Sequence, residues 1–215
     1  MRAPKPKAGR SISSQRWLAR QHKDPFVADA KAQGYRSRAA FKLAEIDDKF
    51  RLLGPGKRVL DLGAAPGGWT QVAVERVRPA PERGAVFAVD VAPMDPIAGA
   101  TVLALDLSEN AVIGALPARL GDLVDLVLSD MAPAASGNRT VDALRAATLA
   151  ESALAIAELV LRPGGAFVAK VMRSGQETAF VAALKERFES VRTFKPKASR
   201  QDSAEIYAVA TDFRG

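Results

Sequence analysis

The sequence predicts an α/β protein built on a mostly parallel, seven-stranded sheet with helices on both faces. Short apolar segments alternate with amphipathic helical patterns along most of the 215 residues, as expected of strand–helix–strand units. The apolar segments are almost continuous, which is typical of strands covered on both faces. Two such segments follow each other near the carboxyl end without a helix between them, so we expect an antiparallel closing strand there.

The first 50 residues are predicted to be helical after a polar start. Residues 1–15 are rich in Lys, Arg, Pro, Ser and Gly, have little to bury, and are expected to form a basic flexible arm. A short helix is predicted within 17–32. A firmer helix is predicted from Ser37 to Phe50, with Ser37 as its N-cap. Residues 16–50 would then be a helical extension of one domain that runs to residue 215.

The rest of the chain alternates regularly between strands and helices after a turn at 53–56. The predicted elements are strand 58–63, helix 68–78, loop 79–84, strand 85–91, strand 101–106, helix 109–120, strand 123–129, helix 140–161, turn 162–165, strand 166–172, helix 175–188, and strands near 190–196 and 205–212.

The segment 59–71 predicts the ligand that the sheet binds. A buried strand runs into a glycine-rich turn and then a helix, the arrangement by which α/β proteins hold nucleotide-like ligands. After Gly63 come two alanines and a proline before Gly67, so the Gly-x-Gly-x-x-Gly pattern of dinucleotide-binding proteins is absent. Asp61 before the turn and Asp90 after the next strand suit a ligand with an ammonium group and a ribose. S-adenosylmethionine is such a ligand.

Composition excludes several kinds of catalytic site. The chain has no cysteine, and His22 is its one histidine. Disulfides, thiolate zinc sites, cysteine nucleophiles, multi-histidine metal sites and Ser-His-Asp triads are therefore set aside. Methylation of a cytosine carbon by cysteine attack is excluded for the same reason. We expect chemistry that uses Lys, Asp, Glu, Ser or Tyr, with no metal.

The positive charge is concentrated at the amino-terminal end. Residues 1–42 carry eleven Lys or Arg and two acids, whereas the other residues carry 20 basic and 22 acidic groups. Such a distribution favours binding to a polyanion such as nucleic acid; a solvated tail or an organellar transit peptide is the alternative. No apolar stretch is long enough to span a membrane, and no secretory signal pattern opens the chain. We therefore expect a cytoplasmic protein.

Two further acids follow predicted strands. Asp106 could accept a hydrogen bond from an adenine amino group, or cap the helix that follows it. Asp130 is followed by Met-Ala-Pro, without the double proline and aromatic residue typical of enzymes that methylate base amino groups. Methylation of an exocyclic amine is therefore disfavoured.

Three charged residues have no evident role when each is taken alone. Lys170 ends a predicted strand at the same edge as Asp130. Lys42 lies on the predicted helix beside its apolar face, and Glu205 opens a strand of alternating pattern. Each alone is compatible with an ordinary surface position.

Together these residues resemble the motif set of the FtsJ (RrmJ, RlmE) family of heat-shock ribosomal RNA 2′-O-ribose methyltransferases. The resemblance covers residues from about Ser13 to Thr211 and implies a Rossmann-like S-adenosylmethionine-dependent methyltransferase fold. Two departures are the small Ala40 and the prolines of the 79–84 loop. The segments that carry the resemblance are 36–43, 61–69, 93–97, 129–133, 161–165 and 195–207.

The resemblance also implies the site residues. The Lys-Asp-Lys-Glu tetrad of the family falls on Lys42, Asp130, Lys170 and Glu205. Expected cofactor contacts are Gly63, Gly67, Trp69, Asp90, Asp106 and Asp130.

The implied activity is 2′-O-methylation of a uridine in 23S ribosomal RNA, with the large ribosomal subunit as partner and the protein acting as a monomer. Lys170 would accept the hydroxyl proton, or would orient the oxygen as an ammonium while the proton leaves to Asp130 or water. The alternatives are a ribose methyltransferase for transfer RNA or messenger-RNA caps, a noncatalytic ribosome-assembly factor that binds RNA, and a nicotinamide oxidoreductase.

Overall fold

The computed structural model describes residues 24–80 and 83–215. Six helices are α1 (Pro25–Ala32), α2 (Ala39–Phe50), α3 (Gly68–Val77), α4 (Asn110–Leu120), α5 (Arg139–Val160) and α6 (Glu177–Arg187). Seven strands are β1 (Arg58–Leu62), β2 (Ala85–Asp90), β3 (Thr101–Ala104), β4 (Val124–Ser129), β5 (Leu161–Met172), β6 (Phe188–Phe194) and β7 (Glu205–Phe213). The basic arm predicted over 1–15, the first part of the helix predicted within 17–32, and His22 lie outside the described residues.

The strands form one sheet in the order β3-β2-β1-β4-β5-β7-β6. Neighbours from β3 to β5 pair in parallel, and β7 is antiparallel to both β5 and β6. The predicted mostly parallel sheet with an antiparallel closing strand is confirmed. The strand order reverses between β1 and β4, which places a crevice beyond the carboxyl ends of these strands.

Alternate residues of β1 supply two separate cores. Leu60 and Leu62 belong to an apolar cluster with α4, α5 and α6. Val59 belongs to a second cluster on the opposite face with α2 and α3. Because both faces of the sheet are covered by helices, the central strands are apolar at nearly every position, as the sequence predicted.

The two amino-terminal helices pack ahead of the sheet, and α2 begins two residues later than the sequence predicted. In α1, Asp24 is the N-cap and its side chain accepts a hydrogen bond from the Phe26 backbone N–H. Helix α2 begins at Ala39, after Arg38. The expectation that Ser37 is its N-cap is wrong: Ser37 Oγ is buried without a hydrogen-bond partner among the described residues. It packs against the start of α3, at Gly68.

Strand β5 differs from the predicted turn and strand. It runs from Leu161 through the Pro-Gly-Gly segment to Met172, with an irregularity opposite β4. Arg162 holds the irregular start of β5 against β4, because it forms an ion pair with Asp125 and donates to the Leu123 carbonyl. The other predicted bounds agree to within two residues.

Candidate active site

The turn between β1 and α3 is built on glycines in the left-handed region. Gly63 has φ of 71° and Gly67 has φ of 110°, conformations that residues with a Cβ rarely adopt. A Cβ on Gly63 would lie 2.6 Å from Met131 Cγ, and one on Gly67 would lie 2.6 Å from Ile97 Cδ1. The turn is therefore a close-fitting cradle between the segments that follow β4 and β2.

Two carboxylates flank this cradle. Asp61 is fully buried; Thr70 Oγ1 donates to its Oδ2 at 2.7 Å, and its Oδ1 has no partner among the described residues. Burial raises the pKa of Asp61 to about 7, and the nearby Asp130 and Asp90 add to the rise against the Thr70 hydrogen bond. Asp90 accepts hydrogen bonds from the backbone N–H groups of Ala65 and Ala92. A buried carboxyl group beside the glycine cradle favours a positively charged ligand group, such as an ammonium, in the crevice.

Asp106 lies beyond β3, which ends at Ala104. It is exposed and accepts from the Ser108 backbone N–H at 2.9 Å, and this hydrogen bond lowers its pKa. The residue before α4 is Glu109, so Asp106 forms a local turn ahead of the helix and does not cap it.

The side chain of Trp69 is buried in the protein interior. The ring is buried against Tyr207, and its indole N–H donates to the Ala39 carbonyl at 2.8 Å. A contact between Trp69 and a cofactor would therefore come from its backbone at the start of α3.

The four tetrad residues converge at one edge of the sheet. Lys42 extends from α2, Asp130 follows β4, Lys170 lies in β5, and Glu205 opens β7. Lys42 Nζ lies 2.6 Å from Glu205 Oε1, and Lys170 Nζ lies 3.1 Å from Asp130 Oδ1. Lys170 Nζ also donates to the Asp130 backbone carbonyl at 2.5 Å. The site thus consists of two neighbouring ion pairs.

Tyr207 joins these two pairs, a role that the sequence analysis missed. Its hydroxyl lies 2.8 Å from Asp130 Oδ1 and 3.1 Å from Glu205 Oε1, and Lys42 Nζ donates to it at 3.3 Å. The available signal was the strand period, because residues two apart on a strand share a face. That period places Tyr207 beside Glu205 on β7.

The electrostatics of the cluster keep Tyr207 neutral and Glu205 ionised. Burial first, and then the carboxylates of Asp130 and Glu205, raise the pKa of Tyr207 well above its ordinary value. Burial alone would raise the pKa of Glu205. The ammonium groups of Lys42 and Lys170 and the Ser199 hydroxyl outweigh this and hold the pKa below its ordinary value.

A basic cleft of about 470 Å³ adjoins the tetrad. Three arginines line it next to Lys42 and Glu205: Arg38, Arg139 and Arg200. Asp24 forms ion pairs with Arg38 and, at 3.5 Å, with Arg200. Planar guanidinium groups held in this way suit phosphate oxygens.

Comparison with known proteins identifies the family. A family model described as FtsJ-like methyltransferase matches residues 35–213. The chain belongs to this family. As a member of the FtsJ-like methyltransferases, it is an enzyme that uses S-adenosylmethionine, and the nicotinamide oxidoreductase alternative is set aside.

Similar proteins extend the match beyond the family model. Ribosomal RNA large subunit methyltransferase E of Bradyrhizobium diazoefficiens is 53% identical over 96% of this chain and 90% of its own length. The protein of the same name from Granulibacter bethesdensis is 52% identical over 95% of this chain and 87% of its own length. A crystal structure of a protein from Plasmodium falciparum, named as a ribosomal RNA methyltransferase, has a TM-score of 0.75 and 32% identity, and the match covers 84% of this chain and 100% of that one.

Over 24–80 and 83–215, no helix has the length and apolar character needed to cross a membrane. Within the same residues, no group of three or more His, Cys, Asp or Glu is arranged to hold a metal ion.

Proposed function

We propose that this FtsJ-like methyltransferase transfers a methyl group from S-adenosylmethionine to the 2′-hydroxyl of a uridine in 23S ribosomal RNA. The convergence of Lys42, Asp130, Lys170 and Glu205 beside the glycine cradle carries the proposal. The large-subunit ribosomal RNA methyltransferases that share about half of its residues support the choice of RNA. The 2′-hydroxyl is a weak nucleophile, so the site must hold it in line with the methyl group and take its proton.

Lys170 is the residue that we assign to the proton. Lys170 is an ammonium in its ion pair with Asp130, so it must first release one proton to solvent. The neutral amine then has two N–H donors and one lone pair. The donors of Lys170 are both directed at Asp130, one to the backbone carbonyl and one to the carboxylate. The lone pair is then free to accept the hydroxyl proton as the oxygen–methyl bond forms. The methyl–sulfur bond of the donor would break in the same step and leave a neutral thioether. The Asp130 carboxylate stabilises the ammonium that results.

The second ion pair holds the reaction partners in place. Glu205 is tied to Lys42 and Ser199, and Tyr207 links it to Asp130. We assign Lys42 and Glu205 to the ribose side of the site, because they also line the basic cleft.

The cofactor is assigned to the crevice above β1 and β2. Gly63, Gly67 and the Trp69 backbone would lie against it, with Asp90 accepting from the ribose hydroxyls. Asp106 would accept from the adenine amino group, and Asp130 would lie close to the methyl group.

The basic cleft and the basic arm are assigned to RNA. Arg38, Arg139 and Arg200 are placed to bind the phosphates next to the target nucleotide,. The helical extension over 16–50 would then form one wall of the RNA site. We further propose that the substrate is presented within the large ribosomal subunit, and that the enzyme acts as a cytoplasmic monomer.

Replacement of Lys170 tests the proposed function. Lys170→Ala removes the proton acceptor, so methyl transfer to ribosomal RNA should fall by at least about 100-fold, while titration calorimetry with S-adenosylhomocysteine should show nearly unchanged affinity. Lys185→Ala, which removes an exposed lysine from α6, is the matched control and should keep full activity.

The cellular measurement is nucleoside mass spectrometry of large-subunit ribosomal RNA. Cells that lack the protein should lose one 2′-O-methyluridine, which the unchanged protein restores and Lys170→Ala does not. Restoration by Lys170→Ala would show that Lys170 does not take the proton. Loss of a 2′-O-methyl group from transfer RNA, with ribosomal RNA unchanged, would move the substrate to that RNA.

A further inference from the structure

Arg36 is a basic residue of the amino-terminal region that does not face the basic cleft. Its guanidinium donates to three backbone carbonyls: Asp95 and Pro96, each at 2.7 Å, and Pro66 at 3.3 Å. Pro66 belongs to the glycine cradle, and the other two belong to residues 91–100, which connect β2 to β3. One side chain thus ties together two walls of the cofactor crevice.

The segment 91–100 needs side-chain contacts of this kind to keep its position. Pro93 and Pro96 have no backbone N–H to donate, and the segment lies outside the sheet. Its side chains lie directly over the cradle, since a Cβ on Gly67 would be 2.6 Å from Ile97 Cδ1 and 3.0 Å from Met94 Sδ. The position of these two side chains therefore determines the shape of the crevice at Gly67.

Arg36 itself is held by the helix that follows the cradle. Its backbone N–H donates to Gln71 Oε1 at 2.8 Å, and Gln71 Nε2 donates to the Gly34 carbonyl at 3.0 Å. The neighbouring Tyr35 hydroxyl donates to Glu75 Oε2 at 2.8 Å. Residues 34–36 are thereby fixed on α3, which gives the guanidinium a rigid base.

We propose that Arg36 is a positioning residue for cofactor binding: it fixes the 91–100 segment over the glycine cradle. A guanidinium presents its donors in a fixed planar fork and can serve several carbonyls at once, whereas an ammonium is a compact point charge. The charge of Arg36 is therefore less important than its shape. The inference depends on the use of S-adenosylmethionine by the family and is independent of which RNA is methylated.

The test compares Arg36→Lys and Arg36→Ala with Arg119→Lys, a change of an exposed arginine in the last turn of α4. Both Arg36 variants should bind S-adenosylhomocysteine about tenfold more weakly or worse by titration calorimetry. The KM for S-adenosylmethionine should rise with kcat retained at saturation. In the cofactor-free protein, amide hydrogen exchange of a peptide over 91–100 should become faster, while a peptide over 85–90 is unchanged.

Measurements of RNA binding separate this proposal from the alternative that Arg36 contacts phosphate. If Arg36 positions the cofactor segment, the salt dependence of RNA affinity should match that of the unchanged protein in all three variants. Normal S-adenosylhomocysteine affinity and normal exchange over 91–100 would overturn the proposal. So would a smaller salt slope in both Arg36 variants with cofactor affinity intact, because Arg36 would then be a phosphate contact. Loss of RNA methylation with normal cofactor affinity counts against this inference and leaves the RNA target to be decided separately.

Discussion

Asp61 is a fully buried carboxyl group with one oxygen unpartnered among the described residues. An ionised carboxylate in such a position is costly, because the protein supplies few hydrogen bonds in place of water. The cost is lower when a cation is bound beside it. The stability of the cofactor-free protein and its affinity for an ammonium-bearing ligand are therefore expected to depend on the same proton.

The pH dependence of stability tests this link. Folding raises the pKa of Asp61 from 3.8 to about 7, so between these values the folded protein holds a proton that the unfolded chain has lost. The free energy of unfolding of the cofactor-free protein should then fall by roughly 4 kcal/mol in total as the pH rises through this window, and the contribution should be constant above it. Urea denaturation at pH 5 and pH 7.5 covers the upper part of this window, where the free energy of unfolding should fall by roughly 2.5 kcal/mol.

Asp61→Asn is the matched variant, because the amide can still accept from Thr70 but does not titrate. Between pH 5 and pH 7.5 it should lose less stability than the unchanged protein, by roughly 2.5 kcal/mol. Affinity for S-adenosylhomocysteine should rise from pH 6 to pH 8 in the unchanged protein and remain flat in the variant. Identical profiles for the two proteins would remove Asp61 from the ammonium site.

At the scale of single residues, the sequence predicts a functional role only where the local pattern indicates one. A glycine turn after a strand, with acids near strand ends, predicts Asp61 and Asp90 as ligand-binding residues without further information. Lys42 and Glu205 were recognised through a family resemblance, because nothing in their local surroundings distinguishes them from surface residues. The contacts of Arg36 join distant segments and leave no local signal. The strand period places Tyr207 beside Glu205, but it does not show that the hydroxyl also reaches Asp130.

At the scale of elements, the loop between β6 and β7 is held by α2. Glu45 in α2 accepts from the backbone N–H groups of Lys197 and Ala198 at 2.7 and 2.8 Å. The next residue of the loop, Ser199, donates to Glu205 Oε1 at 3.0 Å. Glu45 is therefore linked to Glu205 through the loop, although among the described residues it forms no hydrogen bond or ion pair with the tetrad itself.

Removal of this anchor should affect both stability and catalysis. Glu45→Ala leaves two backbone N–H groups without their carboxylate and should lower the free energy of unfolding by about 2 kcal/mol, measured by urea denaturation. The methylation rate should fall several-fold because Ser199 no longer holds Glu205 in one place. Glu45→Gln, which keeps one acceptor, should show a smaller effect on both. An unchanged rate in Glu45→Ala would show that the loop does not position Glu205.

Periodicity predicted the elements well where each had its own signal. The strands of the sheet and the long helix α5 were placed correctly because apolar residues recur with the period of the structure. The Pro-Gly-Gly segment was interpreted as a turn, but it continues into β5. Proline and glycine are typical of turns, so the sequence indicated that no strand runs through this segment. In the structure, Arg162 holds the segment beside β4 through its contacts with Asp125 and Leu123. Ser37 failed as an N-cap for a related reason, since packing against Gly68 takes its side chain away from the helix.

For the whole molecule, chain direction explains why the site forms at one edge. Strands β1, β2, β4 and β5 are parallel, so their carboxyl ends lie together. Strand β7 is antiparallel to β5, with Met172 opposite Glu205 and Lys170 opposite Tyr207. The amino end of β7 therefore meets the carboxyl ends of the others. The antiparallel pairing was predictable from the missing helix, but its register was not, because several alignments of β5 and β7 bury the same apolar faces.

The charge distribution of the whole molecule gives a final prediction. Arg2, Lys5, Lys7 and Arg10 are the basic residues of 1–15, and each phosphate contact that they make releases counterions when RNA binds. Replacing all four with alanine should weaken RNA binding at low salt and reduce the slope of log affinity against log salt by up to about 3, while cofactor affinity is unchanged. Removing the exposed Arg119 and Lys185 instead should leave the slope unaltered. Equal slopes for the arm variant and the unchanged protein would show that the excess charge does not contact phosphates, and that the cleft beside the tetrad binds the RNA alone.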